Sequence, residues 1–199
     1  MAQIEAQDLL RLAEKSGELC FFDIEATGLN GDYNSVVLVS IKPWRKKPMR
    51  FVVEDMGQDA EVVEKVIKEL DKFQVWVSYY GKGYDVPMLR TRALAWNLGI
   101  DLPKRHHLDL YYLVRFRLNT SRRSQSHVLN FVYPERKEDA KVQRKMTVSP
   151  QIWTRMLSKD PKISGPAIKT LGNRCDSDTE GLQSLYIPTK YLAREVTRG

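Results

Sequence analysis

The chain has 199 residues, with 32 Lys+Arg against 25 Asp+Glu and a formal net charge of +7. That length suits one domain over residues 1–199 with a full core, and 42% hydrophobic with 29% charged residues argues against long disorder. No apolar run approaches the ~18 residues of a membrane span, the acidic N-terminus lacks the basic start of a secretory signal, and two cysteines give neither a disulfide framework nor a zinc spacing, so a cytoplasmic protein is expected.

Residues Ile4 to Lys15 place Ala6, Leu9, Leu10 and Ala13 at helical spacing, and Gly17 ends the pattern. Three β-like runs follow, Leu19–Ala26, Val36–Trp44 and Met49–Glu54, joined by turns short enough for antiparallel hairpins. Gln58–Lys72 then carries Val62, Val63, Val66, Ile67 and Leu70 on one helical side. Val75–Tyr80 reads as a strand, Val86–Leu98 as a helix, and Leu108–Leu110 as a short strand running into a helix over Leu110–Leu118. Further helices are predicted around Ser126–Val132, Pro150–Leu157 and Asp178–Glu195, with the charge-dense stretch Pro134–Met146 as a solvated loop. Three meandering strands followed by alternating helix and strand predict an α/β fold, a mixed sheet flanked by helices.

Asp23 and Glu25 sit at the end of an apolar run, two residues apart, and therefore on one strand face. Two adjacent carboxylates repel unless a cation compensates them, and oxygen-only ligands suit Mg²⁺ or Mn²⁺. The plainer reading is a solvated strand end. Asp85 opens a predicted helix, where it would serve as an N-cap as readily as a metal support. The sequence pI of about 9.4 favours a polyanionic partner, with nucleic acid the first candidate.

The run FFDIEATGLN around Asp23 and Glu25 resembles the first motif of the DEDD family of 3′–5′ exonucleases, proofreading-type enzymes on an RNase H-like fold. Tyr79-Tyr-Gly-Lys-Gly-Tyr-Asp-Val-Pro-Met-Leu89 is similar to the second motif and contributes Asp85. In Arg174-Cys-Asp-Ser-Asp-Thr-Glu-Gly-Leu-Gln-Ser-Leu-Tyr186, Asp178 is followed seven and eight positions later by Leu185 and Tyr186. That spacing resembles the closing motif of the branch related to the exonuclease domain of family-B DNA polymerases, with Asp176 as the rival aspartate. His107-Leu-Asp-Leu-Tyr111 is similar to a segment between those motifs, with Asp109 read as mainly structural.

The resemblance implies two-metal-ion hydrolysis of phosphodiester bonds at the 3′ end of single-stranded DNA or RNA. Asp23, Glu25, Asp85 and Asp178 would be the catalytic and metal-holding residues for two Mg²⁺ or Mn²⁺ ions. By the same resemblance Thr27, Gly28 and Leu29 would contact the terminal nucleotide, although Leu29 also fits ordinary packing. Tyr80 and Tyr84 are candidates for base stacking, and Lys82, Arg122 and Arg123 for phosphate contact, each against a plainer role as core ring or solvated cation.

The chain departs from the family at Tyr80, where Asn is common. It departs again where a Tyr four residues before the last Asp, or a His five before it, usually acts as base: Arg174 and Asn173 stand there. A metal-bound hydroxide, a substitute such as Asp176, His106, His107 or His127, or a catalytically weak or inactive nucleic-acid-binding module would each account for this. A structure-selective endonuclease on the same fold is a further alternative.

Overall fold

The computed structural model of the chain describes residues 5–55, 57–134, 149, 151–194 and 197–198. Among these, six strands form one sheet: β1 (Leu19–Ala26), β2 (Val36–Pro43), β3 (Met49–Val52), β4 (Val75–Ser78), β5 (His106–Asp109) and β6 (Thr197–Arg198), in the order β3-β2-β1-β4-β5-β6. The short turns make β1, β2 and β3 an antiparallel meander. The helical crossovers make β1, β4 and β5 parallel, and β6 returns antiparallel along β5. The mixed α/β sheet predicted from the rhythm of the sequence is the one observed.

Among the described residues seven α-helices flank the sheet: α1 (Ala6–Ser16), α2 (Ala60–Leu70), α3 (Asp85–Ala95), α4 (Leu110–Arg117), α5 (Gln125–Val132), α6 (Gln151–Met156) and α7 (Pro161–Thr189). The alternation along β1 sorts its side chains between two layers. Cys20, Phe22 and Ile24 pack with Val63, Val66 and Leu70 of α2 and Leu89 of α3. Leu19 and Phe21 face the other way, against Leu10, Leu113, Leu185 and Tyr186, with the Phe21 and Tyr186 rings edge to face at 5.6 Å. The next two positions on that second face are Asp23 and Glu25, so the strand that anchors the core also aims two carboxylates at α7.

The last helix is where sequence and structure part. A helix was expected from Asp178, yet α7 begins at Pro161, runs 29 residues and is followed by a 3₁₀ turn at Lys190–Leu192. Gly165, Pro166, Gly172, Gly181 and Pro188 hide the helix, because each lowers helical propensity. Packing overrides that penalty. Ala167, Leu171 and Cys175 bury against Val37 and Leu38 of β2, and Leu182, Leu185 and Tyr186 against the β1 layer. Gly172 gives room to the Arg50 guanidinium, which a Cβ there would approach within 2.7 Å and displace. Asp178 is accordingly a mid-helix residue and not a cap. The charge-dense residues 135–146 lie outside the described residues. No helix among the described residues is long and apolar enough to cross a membrane.

Candidate active site

Three carboxylates converge where β1 meets α7. Ligand oxygens of Asp23, Glu25 and Asp178 all lie within 4.8 Å of one another. Burial, and then the neighbouring charges of Asp85, Asp178 and Glu25, push the Asp23 carboxyl well above its usual range. The Cys175 thiol donates a weak hydrogen bond to Asp23 Oδ2 at 3.4 Å and partly offsets that effect. Burial also raises the Cys175 thiol itself, so it is an inert, packed donor.

Asp85 approaches from the other layer. It is the first residue of α3, with Tyr84 in the cap position, so it does not cap the helix as the sequence allowed. Its buried carboxylate lies in the same cavity lining as Asp23 and Glu25, and burial pushes it up to about 7. Four carboxylates crowd this oxygen-only floor, an accumulation of like charge of the kind that a divalent cation would relieve.

A cation of the protein is already there. Arg174 Nε lies 3.1 Å from Glu25 Oε1 and 3.9 Å from Asp178 Oδ2, four residues away on the same helix face. The contact with Glu25 is an ion pair without hydrogen-bond alignment. The neighbouring position is also engaged: Asn173 Oδ1 accepts from Arg50 Nη2 at 2.7 Å.

Asp176 turns to the sheet, where it accepts from Ser40 Oγ at 2.8 Å and pairs with Arg50 at 2.7 Å. That contact separates it from Asp178. None of the three histidines lines the carboxylate cavity among the described residues. His107 is buried and bonded to Ser78 Oγ at 2.7 Å, and His127 contacts Ser121.

The cavity above the carboxylates is open, with a volume of about 520 Å³. Thr27, Gly28 and Leu29 form one wall, and Leu29 is 81% exposed rather than packed in the core. This loop is held from behind. Tyr84 donates to the Gly28 carbonyl at 2.9 Å, and Thr27 Oγ1 accepts the Ser35 N–H at 3.0 Å. A Cβ on Gly28 would meet the Asn34 side chain at 2.4 Å, so the turn requires glycine. Deeper in, Asp59 and Arg92 make a fully buried ion pair at 2.8 Å, and Arg92 Nη1 reaches the Gly31 carbonyl at 3.0 Å.

Tyr80 and Tyr84 line the cavity, with Tyr80 exposed and its backbone at φ 67. Asp109 holds that strained turn by accepting the N–H groups of Tyr80 at 2.8 Å and Lys82 at 3.0 Å. Lys82 itself lines a neighbouring cavity. Arg122 and Arg123 do not line the carboxylate cavity, although Tyr79, which does, donates its hydroxyl to the Arg123 carbonyl. Reading the sequence missed Trp153 of α6, which joins the lining, and the pairing role of Arg174. The i, i+4 spacing of Arg174 and Asp178 was the one available signal. Trp153 offered none.

Comparison with known proteins agrees with this architecture. The family B DNA polymerase of the hyperthermophilic archaeon Pyrobaculum calidifontis superposes with a TM-score of 0.60 at 21% identity, over 85% of this chain and 24% of the polymerase chain. This chain therefore spans about a quarter of that polymerase, and the likeness concerns the fold. No curated protein matches. The sequence pattern of the RNase_H superfamily matches residues 20–187, from the start of β1 to the end of α7. The chain belongs to the RNase_H superfamily.

Proposed function

We propose that residues 1–199 form a single metal-dependent 3′–5′ exonuclease domain acting on single-stranded ends of DNA or RNA. The observation that carries this reading is the Asp23–Glu25–Asp178 cluster, within 4.8 Å, on the floor of an open cavity. In this reading those three residues hold one divalent cation, and Asp85 with Asp23 supports a second. Mg²⁺ or Mn²⁺ held by these residues would lower the pKa of water and offset negative charge on the leaving 3′-oxygen. The Thr27–Leu29 wall positions the terminal nucleotide, with Leu29 against its base, and Tyr84 fixes that wall through Gly28. No side chain is assigned as general base, because Arg174 and Asn173 occupy the positions where the family carries one.

The placement of Arg174 favours a second reading, a nucleic-acid-binding module with weak or lost catalysis. Its guanidinium already neutralises Glu25, one of the residues a cation would need. The test is degradation of 5′-labelled single-stranded DNA and RNA with Mg²⁺ or Mn²⁺ against chelator, beside an Asp23→Ala/Glu25→Ala variant. A metal-dependent ladder shortening from the 3′ end, absent in the variant, supports the exonuclease. Unchanged substrate together with unchanged binding by the variant overturns it and leaves the module. Cleavage of a circular strand would point to an endonuclease.

A further inference from the structure

One edge of the molecule, beside the carboxylate cavity, combines exposed rings with clustered cations. The Tyr80 ring, at the cavity lip, lies 5.0 Å from Tyr111 and 6.1 Å from Tyr112. Tyr112 stacks in turn on Phe116, one turn further along α4, with centroids 6.3 Å apart and planes 13° from parallel. Phe116 is 69% exposed.

A second cavity of about 290 Å³ lies along these rings, lined in part by Lys82, Tyr112, Phe116, Arg117 and Arg194. Arg115 Cζ sits 5.7 Å over the Phe116 ring. Asp109, the carboxylate in this lining, is already engaged by the N–H groups of Tyr80, Lys82 and Tyr111. The edge is therefore cationic and aromatic beside a strongly anionic floor.

Those two characters divide the work of holding a polyanion. The carboxylate floor repels phosphates, so affinity for a strand has to come from elsewhere. The rings, exposed at Tyr80 and Phe116 and half-buried at Tyr112, offer apolar surface for unpaired bases, which a duplex does not present, and the cations match the backbone between them.

We propose that the ladder Tyr80–Tyr112–Phe116, with Lys82, Arg117 and Arg194 beside it, is a track for single-stranded nucleic acid leading away from the carboxylate cavity. The rings stack successive bases and the cations hold phosphates. Its direction, 5′-ward from the terminal nucleotide, rests on the exonuclease reading. The binding itself does not.

The experiment is fluorescence anisotropy in chelator, with short 5′-labelled oligothymidylate and oligouridylate and a matched duplex. Phe116→Ala is expected to weaken single-strand binding about tenfold. Arg117→Ala is expected to weaken it and to flatten the log–log salt dependence by about 0.7. Leu94→Ala, at an equally open position on α3, 81% exposed, leaves it unchanged. Wild-type-like binding by both track variants, no binding by the wild-type protein, or preference for the duplex would overturn the track. Weakened binding by the variants with no cleavage by the wild-type protein upholds the track and sinks only the exonuclease reading. Cleavage with unchanged binding by the variants does the reverse.

Discussion

The guanidinium of Arg174 and the carboxylate of Glu25 form an ion pair at 3.1 Å inside the carboxylate cluster, with Asp178 at 3.9 Å. Both side chains are largely buried, so the pair is a fixed part of the floor. A divalent cation held by these carboxylates would compete with this guanidinium for the same oxygens. Arg174→Ala is expected to destabilise the metal-free protein by about 2 kcal/mol, because Glu25 loses its buried counter-charge. The same change is expected to tighten Mn²⁺ binding about tenfold, since ~1.4 kcal/mol of competition disappears. Thermal unfolding with and without Mn²⁺ measures both effects, and a variant with weaker Mn²⁺ stabilisation than wild type would refute the competition.

Asp23 tests the repulsion directly. Its carboxyl is raised by burial and by three neighbouring carboxylates, so the metal-free site stores unfavourable charge. Asp23→Asn is expected to stabilise the protein in chelator by about 1 kcal/mol, as active-site replacements often do. It should also abolish the stabilisation that Mg²⁺ or Mn²⁺ is expected to give the wild-type protein. Calorimetric titration of the cation into both proteins checks the second part.

Asp59 and Arg92 support the loop from below. Arg92→Ala removes one partner of a buried pair and is expected to cost about 3–5 kcal/mol in urea unfolding. It also deprives the Gly31 carbonyl of its donor. Faster hydrogen exchange at residues 27–34 should accompany the loss, and unchanged exchange there would show that the wall is held without Arg92.

His107 sets an acid-side pH dependence. Burial first, and the Lys82 charge second, push it down to about 3. The unfolded chain takes up a proton at about 6.5 that the folded protein refuses, so this contribution is present above that pH and lost as pH falls towards 3. Asp85 acts in the opposite sense: with its pKa raised to about 7, its contribution is present at low pH and lost as pH rises through 7. Comparison with His107→Gln in chelator isolates the histidine. Between pH 6.5 and 4.5 wild type should lose about 2–3 kcal/mol more than the variant. Parallel curves would remove His107 from the account.

The mixed sheet, an antiparallel meander followed by alternating helix and strand, was legible because it rests on local patterns, and so was the grouping of Asp23 with Glu25. Alternation put Asp23 and Glu25 on one face of β1, and two residues along α7 separate Asp176 from Asp178 by roughly half a turn. One therefore reaches the sheet and the other the cavity. The start of α7 was illegible because its glycines and prolines are excused by contacts with distant residues such as Arg50. Arg174 was read as an absence, the place where a base is missing, since a sequence does not say that a long side chain folds back onto Glu25. Trp153 depends on how α6 docks, which no local spacing encodes.

α7 carries Arg174, Cys175 and Asp178 on one rigid rod, clamped to the sheet through Asp176, Ser40 and Arg50. Spacing between the floor carboxylates is thus a matter of alignment between rod and sheet, tuned like a vernier by side chains that never touch the cavity. Enlarging Gly172, where a Cβ would displace the Arg50 guanidinium from its place beside Asp176, would loosen the clamp and shift Arg174 and Asp178 against the carboxylates of β1.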